Sequence, residues 1–159
     1  MKKELEKMRK GREFRNKPVI DVSSGKLLGY VVGFKPGEDR RLEGLFLISP
    51  RREPFYLPFQ SVSSVGRDSV MVKIRPGDLT MEAGQEWEGQ FYRGLAVVTL
   101  SGENLGIIED IVLGEEQGMI AGFEVSDGLL KDLVAGRRII PAENVLKFGD
   151  DAVIITDTQ

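Results

Sequence analysis

Along most of the chain, short apolar runs alternate with clusters of glycine, proline, serine and acidic residues. This is the pattern of strands separated by tight turns. Pro18–Val22 leads into the turn Ser23–Lys26, and Leu27–Phe34 follows. Pro36–Asp39 is the next turn, before Leu42–Ile48; after Ser49–Pro54 come Phe55–Leu57, Pro58 and a bend through Phe59–Val62. A closing hairpin joins Ser63–Val65 to Ser69–Ile74 around Gly66, Arg67 and Asp68. The series then returns as Leu95–Leu100, Leu105–Leu113, Met119–Val125, Arg138–Ile140, Val145–Lys147 and Ala152–Thr156.

The return is a true repeat. Ser24-Gly25 and Leu28-Gly29 match Ser101-Gly102 and Leu105-Gly106 at an offset of 77, and Gly44 matches Gly122 at 78. Pro58, Val62, Gly66, Asp68 and Val70 match Pro141, Val145, Gly149, Asp151 and Val153 at 83. The offset changes only in connections, where loops tolerate length change and ladders do not. Strands this short and numerous would leave long open edges in a flat sheet, so the expected fold is all-β: two small, highly curved barrels of about six strands each. The second copy carries an insertion over Ser126–Arg137. There Leu129, Leu130, Leu133 and Val134 fall at i, i+1, i+4 and i+5, which predicts a short helix on the barrel mouth.

The expected organisation is a basic tail over residues 1–16, a first barrel over 17–74, a linker over 75–92, a second barrel over 93–156 and a tail over 157–159. Gly11 and the lack of an apolar stripe make the N-terminal tail read as frayed. Trp87 stands in the linker as an aromatic anchor between the barrels.

Charge changes this picture more than composition does. Residues 1–80 hold 17 Lys and Arg against 10 Asp and Glu, net +7; residues 81–159 hold 5 against 15, net −10, and the sum is the overall −3. Residues 1–17 alone carry eight cations and three anions, net +5. An acidic second half repels phosphate, so nucleic acid is expected to bind weakly at most, and only through residues 1–17. The asymmetry also suggests a homodimer in which the tail or first module of one copy meets the second module of another. No apolar run approaches the ~20 residues of a membrane span. No secretory leader is apparent and there is no cysteine, so a cytoplasmic location is expected.

Neither cysteine nor histidine occurs. That removes thiolate and imidazole metal sites, cysteine nucleophiles and histidine-based triads. Arg93–Leu100 lines up with an RNA-recognition octamer, but its three aromatic positions are Leu95, Val97 and Leu100, which cannot stack on bases. Gly25-Lys26 lacks the earlier glycine and following hydroxyl of a phosphate loop. The acidic pairs Glu109-Asp110, Glu115-Glu116 and Asp150-Asp151 lack the spacing of a calcium loop and read as turn charges. Catalytic, cofactor and metal sites are therefore expected to be absent. The pairs Arg51-Arg52 and Arg137-Arg138 remain, each preceding a strand, as candidates to hold a partner's carboxylate or phosphate. With Trp87 they make the candidate interaction surface.

The stretches Lys17–Phe34, Leu42–Leu47 and Phe55–Val72 resemble a PRC-barrel domain. Arg93–Leu113, Met119–Val125 and Arg137–Ile155 resemble it more strongly. The paired Ser-Gly and Leu-Gly turns, Pro141 before Val145, and Gly149–Ala152 are the most typical pieces, and the likeness spans about 120 residues over the two repeats. Such domains occur in the photosynthetic reaction-centre H subunit, in a ribosome maturation factor and in tandem proteins. The resemblance implies a tandem barrel and an interaction role, with no catalytic motif to carry over. A non-enzymatic adaptor or assembly module with protein partners is the first reading. An RNA-metabolism or ribosome-maturation accessory protein is the second, and an unrecognised enzyme the last.

Overall fold

The computed structural model describes residues 9–81, 92–114, 116–127 and 138–157. Its first sheet runs in the order β6-β7-β2-β3-β4-β5-β8, built from β2 (Pro18–Asp21), β3 (Leu27–Pro36), β4 (Leu42–Ile48), β5 (Pro54–Pro58), β6 (Val62–Val65), β7 (Val70–Val72) and β8 (Thr80–Met81). The second runs β12-β11-β10-β9-β14-β13, from β9 (Ala96–Thr99), β10 (Asn104–Leu113), β11 (Ile120–Ser126), β12 (Arg138–Pro141), β13 (Val145–Phe148) and β14 (Ala152–Ile155). Neighbours are antiparallel except for β2/β7 and β9/β14, which are parallel. In each copy a 3-10 turn, Phe59–Ser61 or Ala142–Asn144, carries the chain around the corner between the two ends of the curled sheet. The two expected barrels are thus present with the same strand order. The helical insertion and Trp87 fall on residues 128–137 and 82–91, outside the described residues.

The repeat extends to irregularities. Ladder registers slip in β3 at Val31/Gly33 and Lys35/Pro36, and in β10 at Ile108/Asp110 and Val112/Leu113, positions related by 77. Such bulges bend a strand and increase its twist, which lets ten residues wrap around a narrow core. The Leu-Gly turns have a steric cause. A Cβ on Gly29 would collide with the Ile48 carbonyl oxygen, and one on Gly106 with that of Ser126.

Structural equivalence also begins earlier than the sequence alignment. Phe14 and Tyr92, related by 78, are both buried. Two residues on, Asn16 and Gly94 both take positive φ, 71° and 86°. Their amides donate to the Val31 carbonyl at 2.7 Å and the Ile108 carbonyl at 2.8 Å. Phe14 meets Phe34 edge-on, with centroids 6.0 Å apart. The buried apolar cluster is continuous, running from Val19, Leu47 and Leu57 through Phe14 and Tyr92 to Ile108, Ile111 and Val125.

The copies face each other across a pseudo-dyad. The Leu42 amide donates to Gly118 and the Ile120 amide to Arg40, both at 2.8 Å. Between them Arg41 and Met119 form an antiparallel bridge. An offset of 78 converts one bond into the other and Arg41 into Met119, so this bridge lies on the axis. The arrangement is an isologous interface within one chain.

Two expectations change here. Arg9–Asn16 is not frayed: Arg9–Lys10 forms β1, paired with Leu113 and Val112 of β10, and Gly11–Phe14 is a 3-10 turn against the same strand. Nor is the start of the stretch expected as linker free of structure. Thr80–Met81 pairs with Tyr56 and Phe55 of β5.

Three aspartates hold turns. The Asp21 carboxylate accepts from Ser24 Oγ at 2.8 Å, Asp78 from the Arg75 amide at 2.8 Å and Ser61 Oγ at 3.1 Å, and Asp157 from the Ser101 amide at 3.0 Å and its Oγ at 2.8 Å. These bonds favour the charged form. The Ser24 hydroxyl for Asp21, the Arg75 amide for Asp78 and the Ser101 amide for Asp157 hold each pKa below the ordinary aspartate value. A carboxylate with a lowered folded-state pKa stabilises the fold above its unfolded pKa, near 3.9, and loses that contribution as pH falls through the folded value. Stability measured by denaturant melts is therefore expected to be flat near neutrality and to fall below about pH 4. The triple variant Asp21→Asn, Asp78→Asn, Asp157→Asn should flatten that acid limb; an unchanged limb would assign it to other carboxylates.

Candidate functional site

The predicted arginines do not form one site. Arg51 and Arg52 are exposed in the turn between β4 and β5, with Arg52 at φ 69° and its amide donating to the Ser49 carbonyl at 2.8 Å. Arg138 opens β12, and its guanidinium donates to the Leu105 carbonyl at 2.9 Å. The offset of 83 places Arg138 opposite Phe55, so the two arginine pairs are not equivalent. No hydrogen bond joins Arg51 or Arg52 to Arg138 among the described residues. Arg137, like Trp87, lies outside them.

Charge is concentrated instead where β1 crosses to the second barrel. Asp110 of β10 and Glu124 of β11 are cross-strand partners, each 3% exposed. Two buried carboxylates side by side repel, and each is costly without a counter-charge. The N-terminal segment supplies two. Arg12 Nη1 reaches Glu124 at 2.8 Å and Asp110 at 3.3 Å, the Arg12 amide donates to Asp110 at 3.0 Å, and Lys10 Nζ lies 2.7 Å from Glu124. The hydrogen bond to Glu124 raises the Arg12 pKa above its ordinary value, so the guanidinium stays charged at any working pH. Gly11 permits the approach, because a Cβ there would stand 2.6 Å from the Asp110 carboxylate and 2.8 Å from an Ile111 methyl.

Each barrel mouth is covered by the other copy. Gly114, Gln117 and Gly118, near the tip of the β10–β11 hairpin, lie over the first barrel, where a cavity of about 380 Å³ is walled by Phe14, Val31, Phe34, Leu45, Phe59 and Val70. Arg9 and Gln117 stand at its rim. The matching hairpin tip, Pro36 to Arg40, lies over a cleft of about 760 Å³ at the second mouth, beside Phe123, Val145 and Phe148. That cleft carries charges of both signs, including Lys35, Glu38, Asp39, Lys147 and Asp150. The mouth of the first barrel is thus not filled by its own side chains.

A further surface was missed by the arginine reading. In the parallel pair β2/β7 the side chains facing away from the core are Ile20, Val22 and Met71; in β9/β14 they are Val98, Leu100 and Ile154. The offsets of 78 and 83 make these two sets equivalent. Val22 is 48% exposed and Leu100 65%. Parallel strands usually read as continuous apolar runs because both faces are covered. Here one face is open, and the signal was the run Ala96–Leu100, apolar except for Thr99.

The N-terminal segment should be the weak point of the assembly. Gly11→Val must separate it from β10 or strain it, at a cost of about 2 kcal/mol. Arg12→Ala leaves two buried carboxylates with one cation, also about 2 kcal/mol, since Arg12 is itself half exposed. Both should raise amide exchange at Val112 and Leu113. Converting Asp110 to Asn and Glu124 to Gln in the Arg12→Ala background should recover part of the loss; full additivity would show that the pairing does not hold the segment.

The sequence comparison agrees with the geometry. No curated protein matches the chain. The family model described as PRC-barrel domain matches twice, over residues 6–79 and 92–159. Both matches begin upstream of the first full-length strand of their copy, and the first takes in Arg9–Phe14, the segment that docks on the partner barrel. Two copies of one curled sheet with matched bulges agree with the double match. The chain belongs to the PRC-barrel family, as a tandem of two such domains.

Proposed function

We propose that this tandem is a non-catalytic adaptor that binds protein partners through the outward faces of its two parallel strand pairs. The family supports a general non-catalytic module. The observation that carries the more specific reading is the matched apolar set Ile20, Val22 and Met71 with Val98, Leu100 and Ile154. Large side chains repeated at equivalent solvent-facing positions mark an interaction surface more often than an accident of composition. Because a pseudo-dyad relates the two sets, the chain offers two similar faces, and a partner with two short apolar segments would gain from engaging both.

The RNA-linked reading loses part of its support. Lys10 and Arg12, two of the eight cations in residues 1–17, are held by Glu124 and Asp110 of the same chain. The homodimer reading loses the same charges, though the apolar faces could serve a second copy as well as another protein. No helix among the described residues is long and apolar enough to cross a membrane.

Leu100→Asp and Val22→Asp alter exposed positions and should leave the thermal midpoint within a few degrees of the parent. Affinity capture with nuclease-treated lysate should recover a partner with the parent chain and with Arg138→Ala, and lose it with Leu100→Asp. Light scattering separates the self-association outcome: a dimer that Leu100→Asp converts to monomer would make the partner a second copy. Retention by both aspartate variants, with loss in Arg51→Ala/Arg52→Ala, would move the surface back to the arginines.

A further inference from the structure

We propose that the cavity at the mouth of the first barrel binds a medium-chain alkyl carboxylate, with the chain among the apolar walls and the carboxylate at Arg9. At about 380 Å³ the cavity falls at the lower end of the range of small-molecule sites, about 300–1,000 Å³. The mouth is partly open to solvent, and covering its apolar side chains with an apolar guest removes them from water. The walls contributed by the first barrel, Phe14, Val31, Phe34, Leu45, Phe59 and Val70, are hydrocarbon and aromatic, while Gln117, Gly114 and Gly118 add polar surface on the side of the second copy, so the body of the guest is apolar where it meets the first barrel.

The rim decides its head group. Arg9 lines the cavity, is exposed, and makes no ion pair among the described residues. Lys17 Nζ stands 4.5 Å above the centroid of the Phe14 ring that walls the cavity, and donates to the Gly66 carbonyl at 2.9 Å. Burial, and then the charge of Arg9, lower the Lys17 pKa, against smaller opposing effects of Asp68 and Glu13. An anion seated beside Arg9 relieves that repulsion and gains a charge-assisted hydrogen bond. The second barrel offers no equivalent. Phe123 and Phe148 replace Leu45 and Val65 there, with ring centroids 5.5 Å apart, and its cleft is lined by charges of both signs. The proposed site is independent of the protein-binding faces, which point away from the core.

Decanoate and decanol, below micelle-forming concentrations, serve as matched probes on the full chain. Calorimetry is expected to show one decanoate site, with methyl chemical-shift changes centred on Val31, Leu45 and Val70. Arg9→Glu should weaken decanoate about tenfold, the worth of one charge-assisted hydrogen bond, and leave decanol unchanged. Val70→Phe, which fills the cavity, should abolish both; should that variant fail to fold, the milder Val31→Ile should weaken both. Equal decanoate affinity in the parent and Arg9→Glu would overturn the head-group assignment. Shift changes elsewhere, or no binding to the full chain, would overturn the site. Binding that appears only after residues 1–8 are removed would also overturn it, by making the chain's own N-terminus the occupant.

Discussion

The ten-residue strands β3 and β10 outrun the four-residue strands β2 and β9 beside them, and their remaining backbone groups need partners. On β10 the deficit is met by β1: β9 pairs with its first half, through Asn104 to Ile107, and β1 pairs with Val112 and Leu113 at the other end. The first copy therefore contributes a strand to the sheet of the second. The rest of the interface follows. Once Arg9–Phe14 lies on β10, Lys10 and Arg12 reach Asp110 and Glu124, and Phe14 enters the apolar layer between the barrels. Two acidic residues that would be untenable in the core of an isolated second barrel become anchors.

This docking changes the meaning of the charge asymmetry. A +7 half and a −10 half could in principle meet between molecules, and electrostatic steering would favour it. Part of that complementarity is used inside the chain, at an interface whose effective concentration no second molecule can match. The hairpin tips act in the same sense: bonds between Leu42 and Gly118 and between Ile120 and Arg40 reproduce the reciprocity of a symmetric dimer within one polypeptide. With the inner faces closed in this way, apolar side chains that stay exposed, Val22 and Leu100 among them, lie on the outer faces.

Duplication did not make the barrels identical. Substitutions at equivalent positions separate a mainly apolar mouth from a charged cleft: Leu45 against Phe123, Val65 against Phe148, Phe59 against Ala142. The framework that both share is backbone chemistry, in matched bulges and turn glycines. Side chains pointing into the mouths were free to diverge because the ladders do not depend on them.

How much of this could be read from the chain follows the range of the interactions. Strands, hairpins, the duplication and the family likeness are written in local pattern: alternation of apolar residues, Ser-Gly and Leu-Gly turns, and a proline before each 3-10 corner. The N-terminal segment could not be read that way. Gly11, a lone Phe14 and scattered cations have no local preference for structure, and they order only against distant strands: Arg12 bonds Asp110 of β10, 98 residues away, and Phe14 packs on Phe34 of β3. The run Ala96–Leu100 signalled a strand, but not that its outer face would stay uncovered. The void at the first mouth depends on where the second copy's hairpin tip comes to rest. The sequence by itself determined the elements and their repetition, because turns and strand periodicity act between near neighbours. The docking, the buried ion pairs and the cavity were decided by tertiary structure alone, because each needs groups from both copies in one place.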